Sequence, residues 1–359
     1  MLRDQITAFS SIMIGTYCKY RKKNDRKIIK RCKIQKKVLS SPSITVVITA
    51  YNRREFILQS IKCALNQTLE REKYEIIVIK NFSDDSIDKF IEQNQIISII
   101  SEGIEGEYPN IAIRYANSDI LSFLDDDDLM SKNKLHSIYE IFKDSKIGYY
   151  HNNFNVISGG EIIRNRLINS PEYKTIRVFN KKKRKYLYYL ERKSLYINNS
   201  CISVRKDILK KYIEFLKVQD TNIDRFFYVS ALLSDYDMYF DNKIYNSYRI
   251  HNNQTSAMIS NDFITLRERK LRFISKSINA SENIFKLATG TKFENYCATR
   301  LMNLKLAYNF WSFKKKYKFK LKAYIQYLLE GDLFEIPLLL IYNTPKFVRH
   351  SIIRIIYKL

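Results

Sequence analysis

Ile44, Thr45, Val46, Val47, Ile48 and Thr49 form an unbroken β-branched run of strand length. A half-wetted strand alternates apolar and polar residues. One that does not alternate is covered on both faces, as in parallel sheets flanked by helices. The pattern recurs at 74–79, 96–100, 120–124 and 147–150. Between these runs, 54–65 places Phe56, Ile57, Ile61, Ala64 and Leu65 on one helical face. Residues 86–93 read as a short helix and 109–116 as another, with Pro109 in its first turn. Ser131 reads as the cap of a helix running to about residue 143. This alternation predicts an open α/β sheet, whose ligands sit beyond the carboxyl ends of its strands.

The rest of the chain is less regular. Residues 181–185 read as a lysine-rich hinge, 201–204 and 243–250 as strands, and 224–233 as a helix. Residues 259–359 read as a basic helical region, and 347–357 carries a basic amphipathic pattern suited to an anionic membrane. At the other end, eleven of the nineteen residues from Lys19 to Lys37 are Lys or Arg, so 1–42 reads as a basic arm joined by a Ser/Pro linker. The formal net charge of +25 favours polyanionic partners. Five scattered cysteines without a C-x-x-C pair support neither a disulfide framework nor a zinc site, and suit a reducing cytosol. No run of apolar residues is long enough to span a bilayer. The expectation is a cytoplasmic protein able to lie on the cytoplasmic membrane face.

Two polar clusters follow strand ends: Tyr51, Asn52 and Arg53 after the first strand, and Asp125, Asp126, Asp127 and Asp128 after the fourth. Four adjacent carboxylates repel one another, and a divalent cation with oxygen ligands offsets that repulsion. A cation that also touches a diphosphate neutralises a leaving group. The plainer reading is an acidic helix start favoured by the helix dipole.

The segments SITVVITAYNRREFILQSIKCALNQT, YEIIVI and ILSFLDDDDLM, in that order, resemble the family 2 glycosyltransferases of the GT-A fold. The resemblance covers 43–150 well and 150–255 more loosely. It implies a Rossmann-like open mixed sheet with flanking helices over 43–258, followed by the C-terminal helical region. It also implies metal-dependent, inverting sugar transfer from a nucleotide-diphosphate donor, with Mn2+ or Mg2+ as cofactor. Thr49, Ala50, Tyr51, Asn52 and Arg53 match the family's first nucleotide-binding loop. Asp125 and Asp127 match the outer carboxylates of its Asp-x-Asp motif, the first reaching the ribose and the last the metal, with Asp126 between them. Asp128 extends the motif. Where the family carries paired aspartates after the second strand, this chain has Lys80 and Asn81. Asn81 can bond a base edge, and Lys80 suits a phosphate or carbonyl. Asp84 and Asp85 read first as helix-capping residues.

Inverting transfer needs a base for the acceptor hydroxyl. By resemblance this is Asp224, with Asp220 as the alternative, and Asp224 also reads as an N-cap. The late segment at Tyr248 to His251 is similar to one in these enzymes, which makes His251 a metal ligand and Arg249 a phosphate clamp. The implied partners are a nucleotide-sugar donor, a glycan or lipid-linked acceptor and an anionic membrane surface, with no specific nucleic acid. Two other readings stand beside this one: a non-catalytic relative that binds sugar nucleotide, and a basic nucleic-acid-binding protein. The Asn-x-Ser sequon at Asn198 carries no meaning in a cytosolic chain.

Overall fold

The computed structural model describes residues 43–163, 171–251, 262–313 and 317–319, with Pro345 and Val348. The basic arm and nearly all of the C-terminal amphipathic stretch lie outside them. In chain order the strands are β1 (Ile44–Ala50), β2 (Tyr74–Lys80), β3 (Ile97–Ile100), β4 (Ile120–Asp125), β5 (Leu129–Met130), β6 (Ile147–Ser158), β7 (Glu161–Ile163), β8 (Ile176–Val178), β9 (Ile202–Arg205) and β10 (Asp237–Arg249). They form one sheet of order β3-β2-β1-β4-β9-β6-β10-β5, with β7 on β6 and β8 on β10. The first four pair in parallel around β1, whose Thr49 stands opposite both Ile79 and Asp125. β9 is antiparallel to β4 and β6, and β10 runs parallel to β6. The expected mixed α/β sheet is present.

The helices are α1 (Ile57–Leu65), α2 (Asp85–Gln93), α3 (Glu107–Tyr115), α4 (Lys134–Phe142), α5 (Lys183–Arg192), α6 (Lys206–Lys211), α7 (Ile213–Leu216), α8 (Ile223–Leu232), α9 (Phe263–Ala288) and α10 (Glu294–Ser312). Successive strand side chains point to opposite faces, so each strand feeds two cores. Val46, Ile48 and Val78 pack with Ile57 and Ile61 of α1, Ile87 of α2 and Ile138 of α4. Val47, Ile77 and Phe123 pack with Ile111 of α3 and Phe227 of α8, and the Phe123 and Phe227 rings stack at 4.5 Å. Ile284, Leu287 and Ala288 of α9 and Cys297 of α10 join this second core. The absence of alternation in the strands is therefore explained by burial on both faces.

Four local expectations are corrected. Residues 54–56 precede α1 because the helix starts at Ile57, with Phe56 at the cap position. Ser131 does not cap α4; Asn133 holds that position, without a side-chain cap, and the Ser131 carbonyl accepts from Lys134 N–H at 3.1 Å. The lysine run at 181–185 is no hinge. It enters α5, where buried Lys183 donates to the Ala231 and Ser234 carbonyls at 2.7 Å and so closes the end of α8. Of the two partners expected for Lys80, the structure shows the carbonyl and not the phosphate. The fully buried Lys80 amine pairs with Asp88 at 2.6 Å and donates to the Phe82 carbonyl at 2.6 Å.

Among the described residues, no helix is long and apolar enough to cross a membrane.

Candidate active site

The carboxyl ends of β1, β2 and β4 converge on one edge of the sheet. Asn52 sits in the left-handed region at φ 57°, which turns the chain sharply after β1. Its N–H donates to Asn81 Oδ1 at 2.7 Å, and Asn81 Nδ2 donates back to Asn52 Oδ1 at 2.8 Å. This reciprocal pair ties the loop after β1 to the end of β2. Tyr51 lies beside it, 52% exposed, with its ring 6.4 Å from that of Tyr108. A flat, accessible ring next to two amide edges can receive a nucleobase. Ala50 is buried and offers only its backbone.

The aspartate quartet is a tight turn pinned to β1. Asp126 N–H donates to the Thr49 carbonyl and Asp128 N–H to the Asp125 carbonyl, both at 3.2 Å. Ser60 of α1 donates to the Asp126 carbonyl at 2.9 Å and to that of Asp128 at 2.7 Å. The carboxylates divide among different partners. Arg53 bonds Asp126 through Nε and Nη2, and meets Asp127 Oδ2 through Nη1 at 2.5 Å. Asp125 Oδ1 takes a hydrogen bond from Asn199 Nδ2 at 3.0 Å and a long one from Thr49 Oγ1 at 3.5 Å. Asp128 accepts from Arg249 N–H at 3.0 Å, while Arg249 Nε donates to the Asp127 carbonyl at 2.7 Å. Arg249 thus clamps the turn rather than waiting for a ligand; its guanidinium also covers the Phe56 ring at 4.3 Å.

Burial first, and the neighbouring carboxylates with it, raises Asp125, Asp126 and Asp128. Asp125 is pushed up to about 6, and Asp126 to about 7 with Arg53 opposing the shift. Asp128 rises well above the ordinary range, and its Oδ2 has no partner. Such a site carries more negative charge than its own cations satisfy.

Among the described residues, no group of three or more His, Cys, Asp or Glu could hold a cation unaided. A pair is present: His251 Nε2 lies 3.1 Å from Asp127 Oδ2. Two adjacent ligands of one octahedral ion, each about 2.1 Å from it, stand about 3 Å apart. One carboxylate and one imidazole suit Mg2+ or Mn2+ when a substrate diphosphate completes the shell. The residues fit the implied group. His251 is held by the edge of the Phe56 ring at 5.1 Å.

Across from the quartet stands Asp224, in the first turn of α8. It is not the N-cap. Asn222 holds that position in the left-handed region at φ 57°. The Asp224 carboxylate accepts from Arg225 N–H at 2.7 Å and from the Asn198 backbone, and burial raises its pKa. Asp224 and Asp125 feel one another's charge. Asp220 lies on the loop before α8 and faces Glu105 instead. The structure therefore brings Thr49, Tyr51, Asn52, Arg53, Asn81, the quartet, Asp224 and His251 to one edge.

Three residues at this edge escape sequence reasoning. Glu105 is raised to about 7 by burial and by Asp125, Asp224 and Asp220, with Lys276 opposing. Asn199 and Ser200 contact Asp125 from a loop 74 residues away in sequence. The only local signal is Gly106, whose added Cβ would lie 2.0 Å from the Leu216 carbonyl. That close approach seats the Glu105 loop on the segment before α8.

Comparison with known proteins places the sheet domain among known relatives. Residues 45–213 match the model of Glycosyl transferase family 2. An uncharacterized glycosyltransferase of Rickettsia bellii is 31% identical over 124 residues, covering 33% of this chain and 18% of that protein. Poly(ribitol-phosphate) beta-glucosyltransferase of Bacillus spizizenii is 27% identical over 111 residues, 29% of this chain and 18% of its own length. The matched region thus spans about a fifth of these relatives. The crystal structure of S. aureus TarS 1-349 with UDP-GlcNAc shares the fold at a TM-score of 0.52 and 16% identity, covering 80% of this chain and 79% of that one. The domain that carries this edge is thus similar, over residues 45–213, to family 2 of the glycosyltransferases.

Proposed function

We propose that this protein transfers a sugar from a nucleotide-diphosphate donor to a hydroxyl of a cell-surface glycan, with inversion and with help from a divalent metal. The observation that carries the reading is the convergence of the Asn52–Asn81 pair, the Asp127–His251 pair and Asp224 on one sheet edge. Tyr51, Asn52 and Asn81 receive the nucleobase, and Asp125 takes the ribose hydroxyls. Asp126 holds Arg53 in place. Asp127 and His251 would hold the cation, which when bound would supply positive charge to the departing diphosphate. Asp224 removes the acceptor proton as the oxygen attacks from the face opposite the leaving group, and its raised pKa makes the carboxylate a stronger base.

The acceptor class is inferred from relatives. A further match, 26% identical over 125 residues, is UDP-Glc:alpha-D-GlcNAc-diphosphoundecaprenol beta-1,3-glucosyltransferase WfgD of Escherichia coli. With the B. spizizenii relative it points to glycans built on lipid or polyol-phosphate carriers, met at the cytoplasmic membrane face. We assign catalysis to 43–258 and leave 259–359 a supporting role. The test is turnover of radiolabelled sugar nucleotides on membranes or teichoic-acid-type acceptors, with and without Mn2+. Transfer that needs the metal and stops in Asp224→Asn supports the reading. Metal-independent transfer that survives Asp224→Asn overturns it.

A further inference from the structure

The segment from Ile197 to Cys201 lies between the two halves of the site and touches both. Asn198 N–H faces the Asp224 carboxylate. One residue on, Asn199 Nδ2 donates to Asp125 Oδ1 at 3.0 Å. One further, Ser200 Oγ accepts from Asp125 N–H at 3.0 Å and also meets Asp128. Three consecutive residues therefore bridge the carboxylate across the cleft and the quartet.

The bridge is built under strain. Asn198 has φ 74° and ψ 102°, a backbone conformation that side chains other than glycine resist. It is held there from several sides. Asn198 Oδ1 accepts from Ser200 N–H at 2.9 Å, and its carbonyl accepts from Cys201 N–H at 3.0 Å. Below, His151 Nε2 meets the Ile197 carbonyl at 2.8 Å. The fully buried amine of Lys134 donates to the Ser200 carbonyl and to Asn246 Oδ1. Asn198 Nδ2 and Asn199 Oδ1 are buried without partners, so the strap forgoes hydrogen bonds to keep this course. A loop that serves packing alone gains nothing from an outlying backbone angle and two orphaned amide atoms.

We propose that Asn198 and Asn199 are positioning residues that set the spacing between Asp224 and Asp125, and so between the acceptor hydroxyl and the donor sugar. The inference rests on the reading of Asp224 as base and Asp125 as donor-side carboxylate. Asn198 acts through its left-handed backbone, which aims an N–H at Asp224. Asn199 acts through its amide on Asp125.

The decisive comparison is Asn198→Gly against Asn198→Ala. Both lose the side-chain bond to Ser200 N–H, and only glycine accepts the backbone angle. A left-handed alanine resists by roughly a factor of ten in equilibrium terms, so kcat of Asn198→Gly should exceed that of Asn198→Ala on the order of tenfold. Affinity for the nucleoside diphosphate should be alike in the two; the probe is whichever of UDP, GDP, CDP and dTDP shifts the melting point most with Mn2+. Asn199→Ala should weaken that probe by about threefold to tenfold, as one hydrogen bond to a carboxylate is lost. Asp224→Asn is run alongside. If Asn198→Gly is as slow as Asn198→Ala while Asp224→Asn is inactive, the base reading stands and the strap proposal falls. If Asp224→Asn keeps full kcat, both fall.

Discussion

The chemistry at the sheet edge rests on which charge each aspartate answers to. Asp126 is matched to Arg53 and Asp128 to the Arg249 backbone, while Asp127 shares Arg53 with Asp126 and is the one of the four that also meets an imidazole. Asp127→Ala is therefore expected to lower kcat by about 100-fold or more, and His251→Ala by about 10- to 100-fold, in transfer assays at saturating Mn2+. Glu105 provides a separate test of the site's electrostatics. Its carboxyl is raised from 4.5 to about 7, so the native state holds its proton where the unfolded state has lost it. Stability from this group is present at low pH and lost as pH rises from about 4.5 through about 7. Glu105→Gln should thus raise the melting point of the ligand-free protein at pH 7.5 and leave it unchanged at pH 4.5. A rise of equal size at both would contradict the assignment. The quartet and the loop at Tyr51 were legible because their residues are contiguous and follow strand runs. Glu105, Asn199 and Ser200 were not, because only the tertiary fold carries them to Asp125.

At the scale of elements, β1 to β4 and β9 were readable to within a residue or two because burial on both faces leaves an unbroken apolar run, whereas β6 runs eight residues past its expected end, β10 starts six residues early, and β5, β7 and β8 were not read. Helix starts were less readable, since side-chain caps decide little here: Asp84 does cap α2, accepting from Ser86 and Ile87 N–H, whereas α1, α4 and α8 start without one. Lysines were the least readable. Lys80 read as a donor to a phosphate or carbonyl and Lys183 as part of a hinge, yet both are fully buried, Lys80 against Asp88 and the Phe82 carbonyl and Lys183 against the end of α8. The Glu105 loop is tied to the segment before α8 by Gly106 N–H, which donates to the Gln219 carbonyl at 2.7 Å. Any side chain at Gly106 must push the Leu216 and Gln219 carbonyls away. Gly106→Ala is expected to cost about 1–3 kcal/mol in urea unfolding. It should also slow transfer, because the displaced loop carries Glu105 away from Asp224.

At the scale of the molecule, the sheet core and the C-terminal helices share side chains. Ile284 and Leu287 of α9 belong to the same core as Phe226 and Val229 of α8, the helix that bears Asp224. Asn283 Nδ2 also donates to the Phe215 carbonyl at 2.8 Å and to Gln219 Oε1 at 2.7 Å. Below them, Glu191 of α5 ties Arg225 of α8 to Arg300 of α10. A chain ending at residue 258 should therefore unfold over a broad range and lose transfer, although every proposed site residue is retained. Sharp, cooperative unfolding of that fragment by calorimetry would contradict this coupling. The most direct test of the central claim is thermal shift with nucleoside diphosphates, run with and without Mn2+, on the parent protein and Asp127→Ala. Ligand at a hundredfold excess over its Kd should raise the melting point by roughly 5 °C. The account expects one diphosphate to do so only when Mn2+ is present, and Asp127→Ala to abolish the shift. Shifts equal with and without the metal, or undiminished in Asp127→Ala, would contradict it.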